Sequence, residues 1–218
     1  MTGHAVVTTG AKVLDVMGYR RMLRLERPLD RPPRSLEPRS AIRVGIADLG
    51  EYLGLGHPTG AAEAERRLTA RHRIVGVWHE DRLACASWLA ERVVHVRYLC
   101  VDVSLAPDEL YQYDSWTVPD LRGARLTSYR SVELVRLGRE EGRRAVVVHI
   151  WPEHVQSLRS AYRNLYRVVG LDMAFRLPGG IAFRERRWGE PLIATERPSG
   201  VAARARHSWF VRYAGRRV

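Results

Sequence analysis

The strongest constraint on the fold lies between Glu109 and Ile150. An aromatic and β-branched run, ELYQYDSWTV (Glu109 to Val118), breaks at Pro119 and helix formers follow; the chain then enters RAVVVHI (Arg144 to Ile150), a continuous apolar run. A strand without polar alternation is covered on both faces, and a strand–helix–strand unit returns the chain in the same direction, so these two strands pair in parallel. Upstream, HRIVGVWHE and LACASWLAE are β-leaning runs joined by a polar turn at Asp81-Arg82, which predicts an antiparallel hairpin. The expected class is α/β (α+β), with a sheet that is antiparallel first and parallel later, flanked by helices.

The other elements are placed around this unit. Val13 to Leu25 reads as a short helix or a strand, and the proline-rich RPLDRPPRSLEPRS (Arg27 to Ser40) as a linker or surface arm. Strong helix formers fill Ala61 to Ala70, VVHVRYLCVDV supplies one further strand, and helices are expected over Thr127–Glu141 and Val155–Arg167. DMAFRL and GIAF close the sheet. The expected organisation is an extension and linker over 1–40, one domain over 41–184 and a basic extension over 185–218.

Composition narrows the function less than the pattern does. The net charge of +12 invites a nucleic-acid partner, yet the charge is almost all arginine, Lys12 being the only lysine, and it is scattered along the chain. No apolar stretch approaches the roughly 18 residues that span a bilayer, so no membrane partner is expected. The N-terminus lacks a secretion-signal layout, and Cys85 and Cys100 lie in apolar runs that suit reduced thiols in the cytoplasm. Histidines and cysteines show no metal-ligand spacing, so no metal is expected. No Gly-x-Ser-x-Gly elbow is present. GLGHPTG (Gly54 to Gly60) has the wrong spacing and context for a dinucleotide loop and reads as a plain loop.

The turn Val118-Pro-Asp-Leu-Arg122-Gly123-Ala124-Arg125 carries the chemistry. A helix N-terminus leaves backbone N–H groups unpaired and concentrates partial positive charge, which attracts phosphate. Arg122 adds a guanidinium and Gly123 allows a turn that other residues resist. Beyond it, Ser128, Ser131, Val132, Leu134, Val135 and Gly138 form one helix face, and Tyr129, Glu133, Arg136 and Glu140 the other. The turn reads equally as a phosphate site or as an ordinary basic connection. Asp114, a carboxylate inside an apolar strand, is a base candidate whose pKa burial would raise; strand alternation would instead turn it to solvent.

Pro119-Asp120-Leu121-Arg122-Gly123, then RRAVVVHIWPE, then LRSAYRNLYRVVGLDMAF with its Leu165-Tyr166-x-x-x-Gly170-Leu171, resemble the GNAT superfamily of N-acetyltransferases over roughly Ile74 to Phe183. The resemblance implies a single GNAT-like domain whose parallel strands splay apart. Acetyl-CoA, or another acyl-CoA, would lie in the gap. The backbone of Ser115, Thr117 and Val118 would hold the pantetheine arm, and the amides of Arg122, Gly123, Ala124, Arg125, Leu126 and Thr127 the pyrophosphate. A primary amine on a small molecule or peptide would attack the thioester directly. Tyr166 would protonate the departing sulfur, although its place beside the stripe Val155, Leu158, Tyr162, Leu165, Val169 also fits a core tyrosine. The chain departs from the family in having Arg125 for a glycine, Thr127 for a second small residue and Leu171 for an aromatic. It lacks the asparagine before the second helix, with His154 or Arg159 nearby. His149 and His154 would touch acceptor or CoA, or serve as structural histidines. The alternatives are a GNAT-like transferase or binder using aminoacyl-tRNA or an acyl carrier protein, and a non-catalytic RNA-binding module. Oligomeric state is open.

Overall fold

The computed structural model describes residues 18–33, 36, 40–177 and 180–188. Its ten strands are β1 (Tyr19–Pro28), β2 (Ile42–Ala47), β3 (Arg73–His79), β4 (Arg82–Ala90), β5 (Val93–Val96), β6 (Val101–Ser104), β7 (Glu109–Thr117), β8 (Ala145–Ile150), β9 (Arg167–Leu177) and β10 (Gly180–Arg187). The helices are α1 (Leu49–Gly54), α2 (Ala61–Thr69), α3 (Leu126–Glu140) and α4 (Val155–Arg163). Eight strands form one sheet in the order β10-β9-β1-β8-β7-β4-β3-β2, and β5 and β6 form a separate hairpin. Every pairing in the large sheet is antiparallel except β7 with β8.

Local chemistry explains several of these elements. Asp48 and Glu51 form a reciprocal capping box that starts α1, an element the sequence pattern does not reveal. The β3–β4 hairpin turns on Glu80 and Asp81, one residue earlier than expected, and both take positive φ (50° and 62°), as a two-residue hairpin turn with strand-matched twist requires. Three apolar clusters fill the molecule. One, around Tyr52, Ile74 and Trp88, is covered by α1 and α2. A second, with Leu25, Leu110, Leu134, Val146 and Tyr166, involves α3 and α4; a third, with Tyr111, Val147 and Ala174, takes in residues of the β5–β6 hairpin. Burying one such leucine or valine contributes about 1.5–3 kcal/mol.

The structure corrects four expectations. The boundary at residue 40 fails, because β1 pairs with β8 and β9 deep within the sheet, and residues 185–187 continue β10. The supposed single strand from Val93 to Val103 is a hairpin folded at residues 97–100, where Cys100 takes φ 56°. The parallel half reduces to one pair, since β9 and β10 run antiparallel to their neighbours. The last helix stops at Arg163, because Leu165 adopts φ 64° and Arg167 opens β9; Val155 and Tyr162 of its expected core stripe are exposed. On α3 the expected buried face holds, but Glu133 is also buried, bonded to Arg136 at 2.7 Å. Among the described residues no helix is long and apolar enough to cross a membrane. Residues 1–17 and most of the basic tail lie outside the described residues.

Candidate active site

β7 and β8 are registered only through Glu109–Ala145, Leu110–Val146 and Tyr111–Val147. From there β7 stays with β4 as far as Thr117, while Val148, His149 and Ile150 of β8 stay with β1. The strands therefore part into a wedge. A β-bulge in β7 accompanies the divergence: Asp114 and Ser115 lie where β4 offers only Ser87, and Asp114 takes φ 45°. Arg130, 4% exposed, clamps the bulge from α3. It donates to Ala86 O at 2.9 Å, to Cys85 Sγ at 3.1 Å and to Ser115 Oγ at 3.2 Å.

The wedge opens into a cleft of ≈1330 Å³ that runs from the β7–α3 turn, between the strands, to α2 and the β5–β6 hairpin. At the turn end, Gly123 has φ 94° and Arg125, the N-cap of α3, sits in the left-handed region at φ 61°, ψ 21°. Arg125 thus adopts the backbone that the expected glycine would favour. The N–H groups of Arg122 and Ala124 are bonded within the turn. Those of Gly123, Arg125, Leu126 and Thr127 have no backbone acceptor among the described residues, leaving a set of donors at the start of a 15-residue helix.

The expected residues separate on this geometry. Asp114, Ser115, Thr117, Arg122, Gly123, Arg125, Leu126, Thr127 and Tyr166 all line the cleft. Val118 and Ala124 do not: Val118 is 1% exposed in the core, with its N–H on Ala84 O at 2.9 Å. Arg122 folds back over Trp116 and donates to Thr117 O at 3.3 Å. Tyr166 is buried and donates to Gln112 Oε1 at 2.7 Å, and burial pushes its hydroxyl pKa well above the ordinary value, so it stays protonated.

Asp114 lacks the apolar setting expected of it. Its carboxylate is 34% exposed and bonded to Arg67 at 2.7 Å; Arg67 also holds Glu63 at 2.9 Å. The Arg67 guanidinium is stacked near the rings of Trp88 and Tyr113. Tyr113 shares a 2.6 Å hydrogen bond with His72 Nδ1, and burial lowers the His72 imidazole pKa below 6.5. His149 belongs to the cleft wall, but its wholly buried side chain is held between Tyr111 at 2.7 Å and Asp172 at 2.6 Å. His154 is the N-cap residue of α4 and lines the cleft; Arg159 does not.

Sequence reasoning missed Gln112, Arg67, Tyr113, His72 and Arg130. Only Arg130 left a signal, since it interrupts the buried stripe Leu126–Arg130–Leu134. Among the described residues no three His, Cys, Asp or Glu side chains converge as metal ligands.

No protein-family model and no curated protein matches the sequence. Solved structures do match. A GCN5-related N-acetyltransferase from Sphaerobacter thermophilus aligns at TM-score 0.54 and 12% identity, over 83% of this chain and 57% of that one. A GNAT-family acetyltransferase from Colwellia psychrerythraea aligns at TM-score 0.51 and 10% identity, over 78% of this chain and 57% of that one. The chain thus spans 57% of the length of each. By this architecture the chain has the fold of the GNAT superfamily of N-acetyltransferases.

Proposed function

We propose that the chain is an acyl-CoA-dependent N-acyltransferase, most simply an N-acetyltransferase, that passes the acyl group directly to a primary amine. The observation that carries this reading is the parting of β7 and β8 after Tyr111 and Val147, with the unpaired amides of the α3 N-terminus at the mouth of the gap. Acyl-CoA supplies the thioester. The amides of Gly123, Arg125, Leu126 and Thr127 hold its diphosphate, and the wedge-facing edge of β7 from Ser115 to Thr117 holds its arm. Tyr166, protonated and inside the wedge, gives its proton to the leaving sulfur. The two free thiols, Cys85 and Cys100, suit a reducing compartment, the cytoplasm.

Two groups can take the amine proton. The first is the carboxylate of Asp114, which lies at the bulge and is oriented by Arg67. The short Tyr113–His72 contact favours a second route, in which the Tyr113 hydroxyl accepts the proton and hands its own to His72 Nδ1. The acceptor end is walled by Tyr98, Tyr111, Tyr113 and Trp151, and its carboxylates Glu63 and Asp114 are already paired with Arg67. That setting fits a flat amine of low charge better than a polycation.

Thermal unfolding with CoA and with tRNA tests the donor. CoA at 100 times its dissociation constant should stabilise the fold by about 2.7 kcal/mol. Stabilisation by tRNA and not by CoA would overturn the reading. Release of free thiol from acetyl-CoA across a panel of aromatic amines, amino acids and polyamines then identifies the acceptor.

A further inference from the structure

A smaller cavity of ≈240 Å³ lies behind the β7–α3 turn, between the end of β1, the first turns of α3 and the end of α4. It adjoins the main cleft, with which it shares Arg125, Ser131, Arg163 and Asn164. Arg27, Arg125 and Arg163 all line it, and among the described residues no Asp or Glu does. Several arginines elsewhere in the protein are paired with carboxylates: Arg24 with Glu109, Arg67 with Glu63 and Asp114, Arg136 with Glu133 and Glu140. Around this cavity that pattern stops.

Arg27 is the informative member. It is 1% exposed, and its terminal nitrogens donate to the carbonyls of Pro28, Arg31 and Pro32 while its Nε is buried without an acceptor. Among the described residues no carboxylate forms an ion pair with it, and burial pushes its pKa down against the weaker pull of the Asp30 charge. An uncompensated buried cation is costly. Solvation accounts for Arg125 and Arg163, which are exposed and whose guanidinium groups make no hydrogen bond or ion pair among the described residues. It does not account for Arg27, which water scarcely reaches. An anion in the cavity would offset all three charges.

We infer that this cavity is a phosphomonoester site. A phosphomonoester carries close to two negative charges and three strong acceptor oxygens, which matches two reachable guanidinium forks backed by a buried third charge. The hydroxyls of Ser128 and Ser131 belong to the same wall. Given the acyl-CoA reading, on which this inference rests, the phosphate is the one on the ribose of the donor nucleotide, next along from the diphosphate at the turn. The site would then favour CoA over pantetheine donors that lack a nucleotide.

Calorimetry with CoA and with 3′-dephospho-CoA at matched ionic strength tests it. The protein should bind CoA about tenfold or more tightly than the dephospho form, the scale of a charge-assisted contact. Arg163→Gln, at an exposed position that does not threaten the fold, should lower that ratio several-fold while dephospho-CoA affinity falls by much less. Inorganic phosphate should weaken CoA binding and leave dephospho-CoA binding alone. Equal binding of the two nucleotides by the unmodified protein overturns the assignment and leaves the acyl-CoA reading intact. Phosphate that weakens both equally acts at the turn, and also overturns it. Binding of neither nucleotide overturns the acyl-CoA reading and this assignment together.

Discussion

The Tyr166 hydroxyl donates to Gln112 Oε1 at 2.7 Å, joining the residue just before β9 to the strand that bounds the wedge. Gln112 in turn donates to Ser115 Oγ at 3.0 Å, which also accepts from Arg130. The proposed acid is thereby tied to the bulge.

Replacing that hydroxyl separates chemistry from binding. Tyr166→Phe should lower kcat at least about tenfold, the lower range for a positioned proton donor, with CoA affinity within about twofold. It should also destabilise the fold by about 1–3 kcal/mol, because Gln112 Oε1 loses its donor in a buried site. Single-turnover kinetics with urea unfolding would check both; full activity removes Tyr166 from the acid role.

At Arg125 the backbone is held in a conformation disfavoured for a residue with a Cβ. Arg125→Gly relieves about 1 kcal/mol of that strain, partly offset by the greater entropy of glycine in the unfolded chain. A rise of a few tenths to about 1 kcal/mol in unfolding free energy is expected. A clear loss of stability would show that the Arg125 side chain contributes contacts beyond those described.

The two half-buried histidines set a pH dependence. Burial lowers the pKa of His57 and His72 below 6.5. His72 faces Arg66, Arg67 and Glu63 of α2 and Tyr113 of β7. Below pH 6.5 the unfolded chain binds protons that the fold refuses, so their stabilisation is complete above that pH and is lost as pH falls through the folded-state values. The melting temperature should therefore drop between about pH 7.5 and about pH 5.5, and His72→Gln should flatten that slope. If His72 takes the amine proton, kcat/KM falls over the same acid limb, and the substitution abolishes that limb.

Gly170 owes its identity to close packing. A Cβ there would collide with the backbone carbonyl of Arg186 on β10, which is rigid where a side chain could yield. Gly170→Ala should cost about 1–3 kcal/mol by forcing β10 away from β9. Circular dichroism melts would measure the loss. A neutral substitution would mean that β10 is only loosely held.

The strand–turn–helix–strand unit was legible because its signals are local: a pause at Pro119, a glycine turn, then an apolar run too continuous to face water. β1 was not. Its sequence, YRRMLRLERP, suits a helix or a strand equally, and its place between β8 and β9 depends on partners more than a hundred residues away. The buried arginines were hidden for a related reason. Arg24, Arg67 and Arg130 read as surface charge until Glu109, Asp114 or the β4 backbone is brought to them.

The sequence by itself determined the order of the central elements and the place of the turn between β7 and α3, since periodicity and turn chemistry act over a few neighbouring residues. Tertiary structure alone decided how far β7 and β8 stay paired, that Asp114 meets Arg67 while Tyr113 meets His72, and that three arginines with no carboxylate partner among the described residues gather around one cavity. Those outcomes depend on distant segments meeting, where the loss of water makes a charge costly until it is paired.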